Sequence, residues 1–175
     1  QRGKQYRIES IGIEGNVFAS ADDLSARLRV KPGQPFSSAA LDADLVQIEE
    51  AYRRQGFASA TAEATTRLLP PAADQHVPVV VQVAVAENVR TIVNSVSLEG
   101  NVAVPAAELS QGLSLTIGGP YSVSRVAFDR DAIELRYANL GYHAATVESR
   151  PRFSDDGALA DVVFAVREGP RTYVD

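Results

Sequence analysis

The chain repeats itself. Residues 8–57 align with residues 93–142 at a constant offset of 85, without a gap, and 17 of the 50 pairs are identical. The identical pairs include Ser10/Ser95, Gly15/Gly100, Leu24/Leu109, Leu28/Leu113, Gly33/Gly118, Pro35/Pro120, Asp44/Asp129, Ile48/Ile133, Tyr52/Tyr137 and Gly56/Gly141. Self-similarity at a fixed spacing marks a duplicated folding unit, and it constrains the fold more than any single motif. The offset then drops to 81, where VQVAVAE at 81–87 matches VVFAVRE at 162–168. The second copy therefore has the shorter loop in the stretch that corresponds to residues 61–79. A further echo pairs Arg90-Thr-Ile-Val93 with Arg171-Thr-Tyr-Val174. These matches predict two domains, 5–89 and 90–170, with the stub of a third copy over 171–175. With Gln at position 1 and no Met in 175 residues, the chain reads as a piece of a longer one.

Each copy has the pattern β-α-α-β-β. Ile11 and Ile13 alternate with small or polar residues, as do Val96 and Leu98, which is the period of a half-buried strand. Ile8 and Val93 fall on the opposite parity, so either the strand carries a bulge or these residues face a neighbouring domain. Gly15-Asn16 and Gly100-Asn101 then turn the chain, since Gly, and Asn more than most residues, tolerates positive φ. Ser20-Ala-Asp-Asp23 resembles a capping box with Asp at its third position, and Pro105 with Glu108 is also helix-start chemistry. Leu24 and Leu28 form a short apolar stripe. Lys31-Pro-Gly-Gln-Pro35 and Thr116-Ile-Gly-Gly-Pro120 end that helix, and Ser37 and Ser122 offer new N-caps. Leu41, Leu45, Ile48 and Tyr52 follow helical spacing, as do Val126, Ile133, Tyr137 and Leu140. Gly56 and Gly141 stand where a left-handed C-cap belongs. Residues 58–68 and 143–153 are Ala/Thr/Ser-rich strands. Residues 79–86 and 161–167 alternate strongly, and turn-rich loops join each pair into a hairpin. The fold class that follows is α+β: two tandem domains, each a three-stranded sheet with two helices packed on one face.

Composition removes several kinds of function. There is no Cys, so disulfides and thiolate metal sites are excluded. A net charge of −5 argues against nucleic acid, which needs clustered Lys and Arg. No run of 18 apolar residues exists to span a membrane as a helix. Gly-Asn lacks the frame of a phosphate-binding loop and reads as a structural turn. The only histidines, His76 and His143, occupy non-equivalent places in the two copies. His76 reads as a solvated loop residue, and His143 as structural or exposed. No cofactor, metal or catalytic residue is expected, and no small-molecule substrate. Tyr52 and Tyr137 read as core or interdomain anchors. Asp44 and Asp129 read as solvated or capping residues, with a salt bridge to a next domain as the alternative.

The element order, Gly15-Asn16, Gly33-Gln-Pro-Phe-Ser37 and Gly56-Phe57, with Gly100-Asn101, Gly118-Gly-Pro-Tyr-Ser122 and Gly141-Tyr142 in the second copy, resembles the POTRA (polypeptide-transport-associated) domain. The closing Glu168-Gly-Pro-Arg-Thr-Tyr-Val174 is similar to the junctions between POTRA domains in BamA-type outer-membrane assembly factors. The resemblance covers nearly the whole chain. It implies a periplasmic arm in front of a membrane β-barrel, with unfolded outer-membrane polypeptides and accessory assembly proteins as partners. Copy one departs from copy two in its longer hairpin loop, which carries Pro70-Pro71, His76 and Pro78; if partners dock at hairpin ends, the two copies bind different things, or only one binds.

Residues for such binding lie on the penultimate strand of each unit, which is expected at a sheet edge. An unpaired edge offers backbone N–H and C=O to any extended chain. The candidates are Ala60, Thr61, Ala62 and Glu63 in the first copy and Ala145, Thr146, Val147 and Glu148 in the second, within strands 59–67 and 144–150. Their side chains are small and unselective. Glu63, Arg67, Glu148, Arg150 and Pro151 would limit uncontrolled pairing. Two alternatives stand beside this one. The units could be rigid spacers, as in a two-partner-secretion transporter or a cell-division protein with a POTRA unit. An enzyme would need a deep pocket gathering His143 with several carboxylates.

Overall fold

The computed structural model describes residues 5–172. By contact density the chain divides into two compact units: residues up to Arg53 with Ser59–Asn88, and Arg54–Ala58 with the chain from Val89 onward. Most of the expected third-copy stub, residues 173–175, lies outside the described residues.

In the first unit β1 (Tyr6–Glu14) leads through α1 (Ala21–Arg27) and α2 (Ser38–Arg54) to the hairpin β2 (Thr61–Leu68) and β3 (Val77–Ala86). The second unit repeats this as β4 (Ile92–Glu99), α3 (Ala106–Leu109), α4 (Val123–Asn139), β5 (Thr146–Phe153) and β6 (Leu159–Arg167). The sheets run β1-β3-β2 and β4-β6-β5. The last strand of each unit is thus central, parallel to the first strand and antiparallel to the second. Its alternate residues Val79, Val81, Val83 and Val85, or Ala160, Val162, Phe164 and Val166, are buried. They face the second helix, whose buried positions are Leu41, Asp44, Ile48 and Tyr52, or Val126, Asp129, Ile133 and Tyr137.

The parity problem at Ile8 and Val93 has a local answer. The ladder shifts register between Ile8 and Ser10 and between Val93 and Ser95, a bulge in each copy that leaves Ile8 and Val93 in the core. The Gly-x-Pro segment covers the outer side of this bulge. Ile8 N–H donates to the Gln34 carbonyl at 2.9 Å, Gly33 N–H to the Ile8 carbonyl at 2.7 Å and Phe36 N–H to the Tyr6 carbonyl at 2.9 Å. Gly118, Gly119 and Tyr121 repeat the pattern on Val93 and Thr91.

Gly15 and Gly100 are required on two counts. Their φ angles are +80° and +79°, and a Cβ would stand 2.0 Å from the Val85 carbonyl oxygen and 2.2 Å from that of Val166. Asn16 and Asn101 do not share the positive φ expected of them. They brace the turn through their side chains: Asn16 Nδ2 donates to the Ala19 carbonyl at 2.8 Å, and Asn101 Nδ2 to that of Val104 at 3.0 Å. Gly56 and Gly141 take φ of +97° and +91° just past the second helices.

The helix starts differ from expectation in one place. Ser20 caps α1 by accepting from Asp23 N–H, and Ser37 Oγ accepts from Ala40 N–H. Ser122 occupies the N-cap of α4 without a cap bond, and its hydroxyl pairs with Ser124 instead. The first helix of the second unit is a single turn. Gly112, at φ +76° where the first unit has Arg27, ends it, and the Arg136 guanidinium takes up the Glu108 and Gln111 carbonyls.

Candidate functional site at the sheet edges

β2 and β5 lie at sheet edges, and hydrogen bonds fix which way their backbone groups point. Leu69 N–H donates back to Pro78 of β3 at 2.9 Å, and Ser154 N–H to Leu159 of β6 at 3.0 Å. Antiparallel pairing alternates, so residues 62, 64, 66 and 68 turn their N–H and C=O away from β3, and residues 147, 149, 151 and 153 away from β6. The same residues aim their side chains at the helices: Ala62 and Val147 are buried, Ala64 and Ser149 half-buried. Beyond them the helix cover stops, and Leu68 and Phe153 are exposed. Phe153 meets the ring of Tyr121 edge-on, centroids 5.2 Å apart.

The structure places the sequence candidates unevenly along this edge. Ala60 and Ala145 precede their strands; Ala60 is buried and Ala145 half-buried. Thr61, Glu63, Thr146 and Glu148 are exposed on the face opposite the helices, where Glu148 pairs with Arg150 at 2.9 Å. The outward N–H groups of Ala62 and Val147 are already used. Glu49 Oε1 on α2 accepts from Ala62 at 3.1 Å, and Glu134 Oε1 on α4 from Val147 at 2.8 Å. A helix carboxylate thus takes the first outward donor of each edge. Sequence reasoning missed this role, although Glu49/Glu134 is one of the identical pairs.

Two further carboxylates organise each unit. Asp44 and Asp129 are 1% and 0% exposed, not solvated. Asp44 accepts N–H from Arg29 at 2.7 Å and Val30 at 2.9 Å, and the Arg29 guanidinium at 3.1 Å. Asp129 accepts N–H from Ser114 at 2.6 Å and Leu115 at 2.9 Å. The loop between the helices would otherwise leave those donors unpaired, and a buried polar group is tolerated only when so satisfied. At the strand ends, Glu87 Oε1 accepts N–H from Val17 and Phe18 and the Tyr52 hydroxyl at 2.8 Å. Glu168 Oε1 likewise accepts from Ala103 N–H and the Tyr137 hydroxyl at 2.8 Å. Burial first, then the bond to the carboxylate, pushes both tyrosine hydroxyls well above their ordinary range. Tyr52 and Tyr137 are therefore core residues that also tie the last strand to the first turn.

The remaining candidates bring no chemistry together. His143 is exposed in the turn before β5, and His76 pairs with Asp74 in the first hairpin loop. That bond holds the Asp74 carboxyl below the usual carboxylate range. Among the described residues no three His, Asp or Glu side chains are grouped to hold a metal ion. No described helix is long and apolar enough to cross a membrane.

The family model described as "POTRA: Surface antigen variable number repeat" matches residues 6–86 and again residues 91–169. The chain is 31% identical over 176 residues to an outer membrane protein assembly factor BamA of Nitratidesulfovibrio vulgaris, covering 94% of this chain and 21% of that protein. It is 25% identical to a putative outer membrane protein assembly factor of Treponema pallidum, covering 93% of this chain and 20% of the relative. The chain thus spans about a fifth of the length of these relatives. Among solved structures, the crystal structure of Haemophilus influenzae BamA POTRA3-5 superposes with a TM-score of 0.62 at 24% identity, over 95% of this chain and 68% of that one, a likeness of fold. The chain belongs to the POTRA family, as two tandem copies of the domain similar to those of BamA-type proteins.

Proposed function

We propose that these two domains are part of the periplasmic arm of an outer-membrane β-barrel assembly protein. The arm holds unfolded outer-membrane polypeptides or accessory assembly proteins by adding their extended segments to a sheet edge. The work is binding; no bond is made or broken. The observation that carries this reading is the row of outward backbone groups along β2, flanked by the small side chains of Ala64 and Thr66. Backbone pairing is indifferent to client sequence, which suits a protein that must hold many different chains weakly. The names of the relatives, both assembly factors, point the same way.

NMR titration with a peptide copied from a strand of a membrane β-barrel tests it. Amide shifts along β2 or β5 and their hairpin partners are the expected result. Shifts confined to helices and loops would sink the edge mechanism. A second reading, rigid spacers in a secretion transporter or another POTRA-containing membrane protein, draws support from Glu87 and Glu168, which tie each unit's exit to its first turn. Under it, edge substitutions leave assembly intact, while Gly or Ser insertions between Glu87 and Ile92 abolish it.

A further inference from the structure

The two edges are not equivalent, and the difference in their backbone donors sits at one position. Thr66 and Pro151 are 85 residues apart, hence matched by the repeat, and they face the matched residues Val81 and Val162. Both are outward positions by the alternation established above. In the first unit, once Glu49 has taken Ala62, three successive outward donors remain at Ala64, Thr66 and Leu68. In the second, once Glu134 has taken Val147, Ser149 and Phe153 remain with a proline between them. A prolyl nitrogen carries no hydrogen, and its ring occupies the side from which an added strand would approach. An added strand bonds at every second residue, so Pro151 interrupts the ladder at its middle rung.

The side chains differ in the same sense. Phe153, though 52% exposed, meets the Tyr121 ring, while its counterpart Leu68, 57% exposed, ends the helix-side row Ala64, Thr66, Leu68. On the opposite face the neighbours are Glu63, Thr65 and Arg67, all exposed. A strand laid against this edge would have alternate side chains beside a row with no charge, ending in the apolar Leu68, and beside a charged, polar one.

Building on the edge-binding function proposed above, we infer that the first unit alone accepts the added strand, over Ala64–Leu68, and that it selects segments whose apolar and polar side chains alternate. The second unit's edge is closed by Pro151.

The test uses the 175-residue chain, labelled with nitrogen-15, and a synthetic ten-residue peptide of alternating Val and Thr with terminal lysines. Amide shifts are expected on β2 and β3 and not on β5. Thr66→Pro, a residue the equivalent position already holds in the second unit, should weaken binding at least tenfold with spectral dispersion retained. Pro151→Thr should add a second site, with new shifts over 149–153. A peptide with all ten side chains polar should bind the first unit at least fivefold more weakly. Shifts on neither edge would overturn edge binding itself. Shifts on β5 of the unaltered chain would leave edge binding standing and overturn the assignment to the first unit. Full binding by Thr66→Pro with shifts still on β2 would overturn the proline block. No second site in a folded Pro151→Thr variant would refute the proline as the cause. Equal affinity for the all-polar peptide would refute the selectivity.

Discussion

The carboxylate of Asp44 accepts the backbone N–H of Val30 at 2.9 Å, in a part of the core that water does not reach. Removing it with Asp44→Ala leaves the Arg29 and Val30 donors without that acceptor. The expected loss is about 3 kcal/mol for the first unit, given ~1–3 kcal/mol for each unsatisfied buried group. Urea unfolding followed by circular dichroism measures it. Asp129→Ala should destabilise the second unit by a similar amount, and a loss below about 1 kcal/mol in either would contradict the bracing role.

Gly15 and Gly33 share a left-handed backbone, at φ +80° and +85°, but only Gly15 has a neighbour within reach of a Cβ. Gly33→Ala should therefore cost only the conformational term, roughly 1–2 kcal/mol. Gly15→Ala adds a collision with the Val85 carbonyl and should cost clearly more, about 3–4 kcal/mol with partial relaxation. Equal losses in thermal unfolding would show that the close approach does not matter.

Glu49→Ala frees the outward N–H of Ala62 without touching the strand. Hydrogen exchange at the Ala62 amide should accelerate at least tenfold, while exchange at Glu63, bonded into β3, stays within about twofold of the parent. Matched acceleration at both would mean the hairpin had loosened, and the carboxylate would then be a strut, not a cap.

The tyrosine–glutamate pairs set an alkaline limit. The hydroxyls of Tyr52 and Tyr137 are raised above the ordinary tyrosine value in the folded chain, by burial and by the bonds to Glu87 and Glu168. A raised value means the folded state holds its proton more tightly. The associated stability is fully present below about pH 10, the unfolded value, and declines as pH rises past it. Denaturant midpoints measured from pH 8 to 11 should fall above pH 10. The Tyr52→Phe, Tyr137→Phe double variant should start lower and fall less steeply; parallel curves would argue against the linkage.

The sequence reveals the duplication, the element order and the edge position of the penultimate strand, because side-chain period and turn chemistry carry that information. It conceals what depends on backbone partners. Asp44 reads as a solvated helix residue because its partners are N–H groups of a loop, fourteen and fifteen residues upstream, which have no letter in the sequence. Ala62 reads as an open edge residue for the same reason: the competing acceptor lies on α2, thirteen residues away in the chain. Pro151 is visible as one of several differences between the two edge strands, yet its weight depends on the phase of the ladder. That phase follows from the Leu69 and Ser154 bonds, not from composition.

The parallel pairing of β1 with β3, and of β4 with β6, also determines how each unit answers a mechanical load. The chain enters a unit at the start of one strand and leaves at the end of its immediate neighbour, running the same way. Tension applied through the two ends slides these strands past each other and loads all their cross-links at once, in shear. A hairpin pulled from its open end would lose them one by one. Stretched in a single-molecule instrument, each unit should resist until a single sharp rupture, and a gradual lengthening at low force would contradict that. A unit built this way transmits pull from its entry to its exit without paying out slack.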